Sequence, residues 1–395
     1  MNNKSRAPRR AARSVGFSLV EMMVAMVVGL AVVIGISSVY LFSKSSARRQ
    51  EQIGTIQQSV RVAFEYLAGD ARMVGHLGCF TGRDTGFVND LGATTLPTNY
   101  ALGIEGYDYA TTGSAFAMTS NAPANTTTTA EWRTNTDADG VVTVPIATLA
   151  GSATGDGLTP GSDVLVIRTV SGAPLRLTAA TTASNQLLIE KITGSSKCSD
   201  GATDKMSGFC INSHALAASC TDARVFSVSA VDASTGALTT SGSSFGASGA
   251  PGHFAPGTSE VFPLQTIAYY IKASSSGATT SLYRRVFDGD VAAGNEQELI
   301  EGVENLQLLY GRDTTLPEPD GKIDNYVVAS DVGDWSKVVA VRMALVIRAD
   351  APVGADTPVA ASAPVNGISV SFPASAPHFD RRVFTTTVAL RNRLH

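Results

Sequence analysis

Gly16-Phe17-Ser18-Leu19-Val20-Glu21 opens an apolar run that carries one charge, Glu21, in the 26 residues from Phe17 to Phe42. A helix of that length reaches roughly 39 Å at about 1.5 Å per residue, enough to cross a bilayer. Residues 1–16 hold Lys4, Arg6, Arg9, Arg10 and Arg13 and no acid. Positive charge beside an apolar span stays on the cytoplasmic side, so the rest of the chain faces outward. Setting those five charges aside takes the formal net charge from −4 to −9. A mildly acidic remainder gives no reason to expect a nucleic-acid surface.

Two ordinary readings of the segment fall short. A secretory signal has an apolar core of about 7 to 15 residues and ends at a small-residue cleavage site, which is not evident after residue 36. A plain signal anchor explains the length and the arginines but not Glu21. A carboxylate within a membrane span costs roughly 2.5 to 3.5 kcal/mol on insertion scales, and such a residue marks a function. The run contains no cation to pair with it. Cleavage after Gly16 would supply one, as a new amine on Phe17.

Gly16-Phe17-Ser18-Leu19-Val20-Glu21 resembles the cleavage motif of type IV pilins and type II secretion pseudopilins. The resemblance implies that a prepilin peptidase cuts after Gly16 on the cytoplasmic face and methylates Phe17. It also implies that Glu21, the fifth mature residue, pairs with the terminal amine of a neighbouring subunit. Burying the two charges together avoids the penalty of burying either alone. Many major pilins have a short leader and a proline within the span. Here the leader has 16 residues and no proline lies between 17 and 42, a pattern closer to minor pilins.

Beyond the span, Ile53, Ile56, Val60, Phe64, Leu67, Ala71 and Val74 recur at steps of three and four, one stripe of an amphipathic helix. The expected organisation is therefore a leader over 1–16, a transmembrane helix over 17–42, its amphipathic continuation over 43–78, and a head over 79–395. Glycines 75 and 78 end the helix. Strands are expected over 163–170, 186–192, 224–230, 266–272 and 281–286, and a short helix near Glu296. In 337–348, Val339, Val341, Met343, Leu345 and Ile347 alternate with Arg342 and Arg348, as in a half-buried antiparallel strand. Residues 382–390 read as its partner. Stretches 111–157, 231–259 and 350–377, poor in large apolar side chains, read as loops. The fold class is α+β and pilin-like, with a long amino-terminal transmembrane helix packed on an antiparallel β-rich head.

Several further segments resemble the PilW family of minor pilins. They are Gly69-Asp70-Ala71-Arg72-Met73 running to Gly78-Cys79, Cys220 ahead of Val225-Phe226, Trp335 before the strand at 338–347, and the ending from Arg382 to Asn392. Residues 193–212 look like an insertion. The resemblance implies a structural subunit that primes pilus assembly, supports motility and adhesion, and works with other minor pilins, the major pilin, a large tip-associated adhesin and the inner-membrane assembly platform. It implies a single-pass inner-membrane protein with a periplasmic head that then enters the filament. A pseudopilin of a type II secretion system shares the same leader chemistry, and a membrane-anchored binding domain or hydrolase is a third reading.

Cys79, Cys198, Cys210 and Cys220 form an even set without metal-type spacing, consistent with two disulfides in an oxidising compartment. Three connectivities are open. Cys79 lies just past the helix and Cys220 just before a strand, so their pairing would tie helix to head. Cys198 with Cys210 would close a local loop of about 13 residues, worth about 3 kcal/mol on the chain-entropy model. Asp313, Asp320 and Asp324 gather near a turn, as do Asp137 and Asp139, and calcium favours such oxygen sets, although neither segment has the EF-hand spacing. No HExxH, GxSxG, phosphate loop or GxGxxG after a strand is found, which speaks against an enzyme.

Overall fold

The computed structural model describes residues 16, 18–80, 86–92, 95–109, 115–118, 125–126, 132–135, 141–143, 149, 157–182, 184–201, 203–242, 244–290, 294–317, 320–353, 359–374 and 377–393. One helix, α1, runs Leu19–Arg72. The chain divides into two compact units, residues 1–54 and 55–395, and α1 contributes to both. Within the first unit the residues from Leu19 to Ser45 are exposed, as expected of an apolar surface whose natural surroundings are lipid or other helices. Ser38 and Ser45 donate their hydroxyls to the carbonyls of Gly35 and Phe42, both at 2.8 Å. That internal satisfaction lets a serine sit in an apolar span.

The second unit is a β-rich head. Its strands are β1 (Phe87–Asn89), β2 (Ile104–Tyr109), β3 (Ala115–Ala117), β4 (Trp132–Asn135), β5 (Val141–Thr143), β6 (Val164–Val170), β7 (Leu175–Arg176), β8 (Gln186–Leu188), β9 (Thr193–Lys197), β10 (Asp204–Met206) and β11 (His214–Ser219). There follow β12 (Ala223–Asp232), β13 (Ala237–Thr240), β14 (Ser259–Ala273), β15 (Thr280–Phe287), β16 (Asn295–Glu301), β17 (Val303–Arg312), β18 (Asn325–Val327), β19 (Val338–Arg348), β20 (Ser362–Val365), β21 (Ile368–Ser371) and β22 (Arg381–Ala389). The large sheet runs β5-β4-β2-β6-β14-β11-β12-β13-β8, with β15 and then β16 added beside β14. The 15-residue β14 is its spine: residues 259–263 pair with β11, and residues 264–269 pair with β6. A second sheet runs β18-β17-β19-β22 and is antiparallel throughout.

The main core lies where α1 meets both sheets. Ile56, Val60, Ala63, Leu67, Ala68, Ala71 and Val74 pack with Ile167, Ile267, Leu306, Leu308, Met343 and Leu345. A fully buried Leu or Ile contributes about 1.5 to 3 kcal/mol, so this stripe, rather than helix propensity, holds that end of α1.

The structure corrects three expectations. The segment at Glu296 is strand β16, not a helix, because its acids alternate onto one face beside basic and hydroxyl neighbours. Glu296 pairs with Lys272 and Arg285, and Glu298 accepts from Ser281. The stretches 111–157, 231–259 and 350–377 are not loops throughout: they contain β3, β4, β5, β13, β20 and β21. Finally, β19 is buried on both faces rather than one. β20, β21 and β3 form a small sheet whose side chains Val365, Val370 and Phe116 cover Ala344 and Val346. Arg342 keeps its charge at the edge of that cover, 3.8 Å over the Tyr326 ring. Arg348 is buried and faces Glu304 at 3.5 Å.

Candidate functional site

The amino-terminal motif comes first. Gly16 is exposed, and a Cβ placed on it would meet nothing within 4 Å. Phe17 and residues 1–15, including Arg13, lie outside the described residues. Glu21 sits exposed in the first turn of α1, where the free N–H groups of a helix start favour a carboxylate. By length and composition α1 can cross a membrane. Gly16, the carboxylate of Glu21 and an apolar surface thus follow one another along this exposed segment.

At its other end α1 is held by polar contacts that the sequence did not announce. Asp70 Oδ2 accepts from the Tyr269 phenol at 2.5 Å and lies 3.0 Å from Arg284 Nε. Burial, with Asp70 alongside, raises the Tyr269 pKa, so the phenol stays protonated and donates. The last carbonyls of a helix lack partners within it. Here the Asp70 and Ala71 carbonyls accept from the Met73 and Val74 amides, and in the turn beyond the helix the Thr169 hydroxyl donates to the Met73 carbonyl at 3.0 Å and the Asn392 amide to the Val74 carbonyl at 3.1 Å. The chain's carboxy-terminal segment thus caps the turn that follows α1.

Gly75 and Gly78 both adopt positive φ. At Gly78 a Cβ would lie 3.0 Å from the Phe262 ring, so this close turn needs glycine. The next residue, Cys79, is bonded to Cys220 across 141 positions, and Cys198 to Cys210 across 12. The second bridge braces the β9–β10 hairpin, whose Met206 reaches a core with Phe209, Phe226 and Phe254. The suspected insertion is thus part of the packed head.

Three groups of buried charge complete the head. Glu304 receives Arg381 Nε at 2.6 Å and lies near Arg348, which rests 4.1 Å over the Phe379 ring. Arg168 pairs with Glu105 at 2.7 Å and also donates to the Leu96 and Leu102 carbonyls. Asp163 accepts from the Leu308 and Tyr109 amides at 2.8 and 3.2 Å, joining the large sheet to the second. Burial, with Asp108 nearby, pushes its pKa well up. Sequence reasoning missed all three. The only available signal was polar residues inside strongly apolar strands, and that does not name the partner.

The acids considered for calcium serve their own loop. Asp313 accepts from the Thr315 and Gly321 amides, Asp320 from the Lys322 amide and ammonium, and Asp324 from the Thr314 amide and hydroxyl. Asp137 and Asp139 lie outside the described residues. Among the described residues, Cys198, Cys210 and Asp290 bring potential metal-ligand atoms within 4.8 Å of one another, but the two sulfurs are joined in a disulfide.

No curated protein and no solved structure matches the chain. A family model does match, over residues 268–392, the stretch that supplies Arg284, Trp335, the β17-β19-β22 core and Asn392. The family is PilW, type IV pilus-assembly protein W, and over that stretch, about a third of the chain, the protein is similar to it.

Proposed function

We propose that this protein is a minor pilin that helps prime type IV pilus assembly as a structural subunit of an initiating or tip complex, and so supports pilus-dependent motility and adhesion. The observation that carries this reading is the coexistence, in one chain, of the pilus-assembly family match over 268–392 and the Gly16 to Glu21 motif before a membrane-length helix. In this reading the prepilin peptidase cuts after Gly16 and methylates Phe17. Glu21 then meets the terminal amine of a neighbour as the subunit leaves the bilayer. The head, in the periplasm before assembly, joins other minor pilins, the major pilin, the assembly platform and a large tip-associated adhesin.

Buried charge in an apolar span is tolerated when it gains a partner, which gives Glu21 its role in docking. Mass spectrometry of the native amino terminus is the direct test: a methylated Phe17 is expected, and an intact leader sinks the filament reading. Gene deletion separates the pilus from its relative, the type II secretion machine. Loss of pili and twitching is expected; intact pili with lost protein secretion would transfer the protein to the secretion system.

A further inference from the structure

β22 is the outer strand of the second sheet, and its free edge is regular. Its nine residues pair with β19 without a register shift. The direction of its backbone groups follows from both ends of the ladder. The Leu390 amide donates to the Val339 carbonyl, and the Asp380 carbonyl accepts from the Ala349 amide. Backbone groups alternate sides along an antiparallel strand, so the even-numbered residues face β19. Val383, Thr385, Thr387 and Ala389 therefore turn their N–H and C=O groups outward. Among the described residues no strand pairs with that edge, and Thr385, Thr387 and Ala389 are exposed.

Proteins usually blunt such an edge with a bulge, a proline or a charge along the strand. The outer strand of the large sheet, β16, does carry a bulge where it pairs with β15. Residues 383–389 carry none of these, and the nearest exposed charges stand at the two ends, Arg382 before them and Arg391 after. Arg342 on β19 reaches the same strand, its Nε 3.4 Å from the Thr387 hydroxyl. Arg381 is buried against Glu304, which leaves Arg382, 3.2 Å from Asp380, and Arg391 as exposed positive charge at the two ends of the strand, in a chain of negative net charge.

We propose that β22 is a docking edge that accepts an acidic extended segment of another polypeptide as a fifth strand of the sheet. Main-chain bonds to residues 383–389 would hold the segment, and Arg382 and Arg391 would select its acidic side chains. The proposal stands whether the protein serves a pilus or a secretion machine.

The probe is an eight-residue peptide alternating valine and glutamate, added to the full chain in detergent, with a valine–lysine peptide as comparison. Saturating acidic peptide should slow amide exchange at Thr385 and Thr387 at least tenfold while leaving the Thr386 and Val388 amides, already bonded to β19, unchanged. Thr385→Pro removes an outward N–H and should weaken binding at least tenfold. Should that variant not fold, Arg382→Glu with Arg391→Glu changes two exposed side chains, giving up the 3.2 Å contact of Arg382 with Asp380, and should reverse the preference toward the lysine peptide. Absence of protection at millimolar acidic peptide, protection confined to another surface, or equal binding of both peptides would overturn the proposal.

Discussion

Asp70, in the last turn of α1, accepts a 2.5 Å hydrogen bond from the phenol of Tyr269, a residue 199 positions later in the middle of the longest strand. Arg284, on the neighbouring strand β15, closes the group at 3.0 Å from the same carboxylate oxygen. One side chain on the helix is thereby keyed to two strands of the large sheet. Asp70→Ala is expected to destabilise the head by about 1 to 3 kcal/mol, because it leaves the Arg284 guanidinium without its carboxylate and with only the Tyr269 oxygen, 3.2 Å from Nε, to accept, and Tyr269→Phe by about 1 kcal/mol. A double-mutant cycle from urea unfolding of the detergent-solubilised chain should show coupling; strict additivity would mean that the bond contributes nothing.

Gly78 holds φ at +67° beside the Phe262 ring. Gly78→Ala should cost about 1 to 2 kcal/mol from the left-handed backbone alone, with more from displacement of the ring. Thermal unfolding checks this, and an unchanged midpoint would show that the turn can rearrange freely.

Glu304 is the carboxylate set between two buried arginines. Removing one partner of a buried pair leaves uncompensated charge and costs about 3 to 5 kcal/mol. Glu304→Gln should therefore be more damaging than exposed changes such as Lys322→Ala, whose pairing with the exposed Asp320 is screened by water. Comparable losses in denaturant midpoint for the two variants would contradict the buried geometry.

Asp163 gives stability a particular pH dependence. Burial and the neighbouring Asp108 raise its folded pKa, against the opposing pull of two amide donors. A raised pKa means that the folded state holds the proton more tightly than the unfolded chain. Its contribution is complete below the unfolded value of about 4 and is lost as the pH climbs through the folded one. The stability difference between the natural protein and Asp163→Asn should shrink as the pH rises from about 4. Urea midpoints measured at a series of pH values would expose a flat difference, the result that rules this out.

Glu21→Ala should leave cleavage after Gly16 intact but impair entry into the filament, whereas Gly16→Val should block cleavage. Immunoblots of membrane and sheared-pilus fractions distinguish the two stages. Equal amounts of Glu21→Ala and natural protein in the filament would remove the role given to that carboxylate.

The sequence by itself determined the features whose physics is local. An unbroken apolar run makes a membrane-length helix wherever it sits. The three-and-four spacing from Ile56 to Val74 selects the face of α1 that the head covers, and the alternation around Met343 marks β19 and points to β22 as its partner. Tertiary structure alone decided which groups meet across long separations. It placed Asp70 on Tyr269, Asn392 on the carbonyl of Val74, and Glu304 between Arg348 and Arg381. It also made a strand of the acidic segment at Glu296 and covered the second face of β19, because a polar or short segment takes its conformation from the neighbours that satisfy it. Periodicity reports which side of an element is apolar, whereas the partner of a buried charge depends on how distant elements fold together.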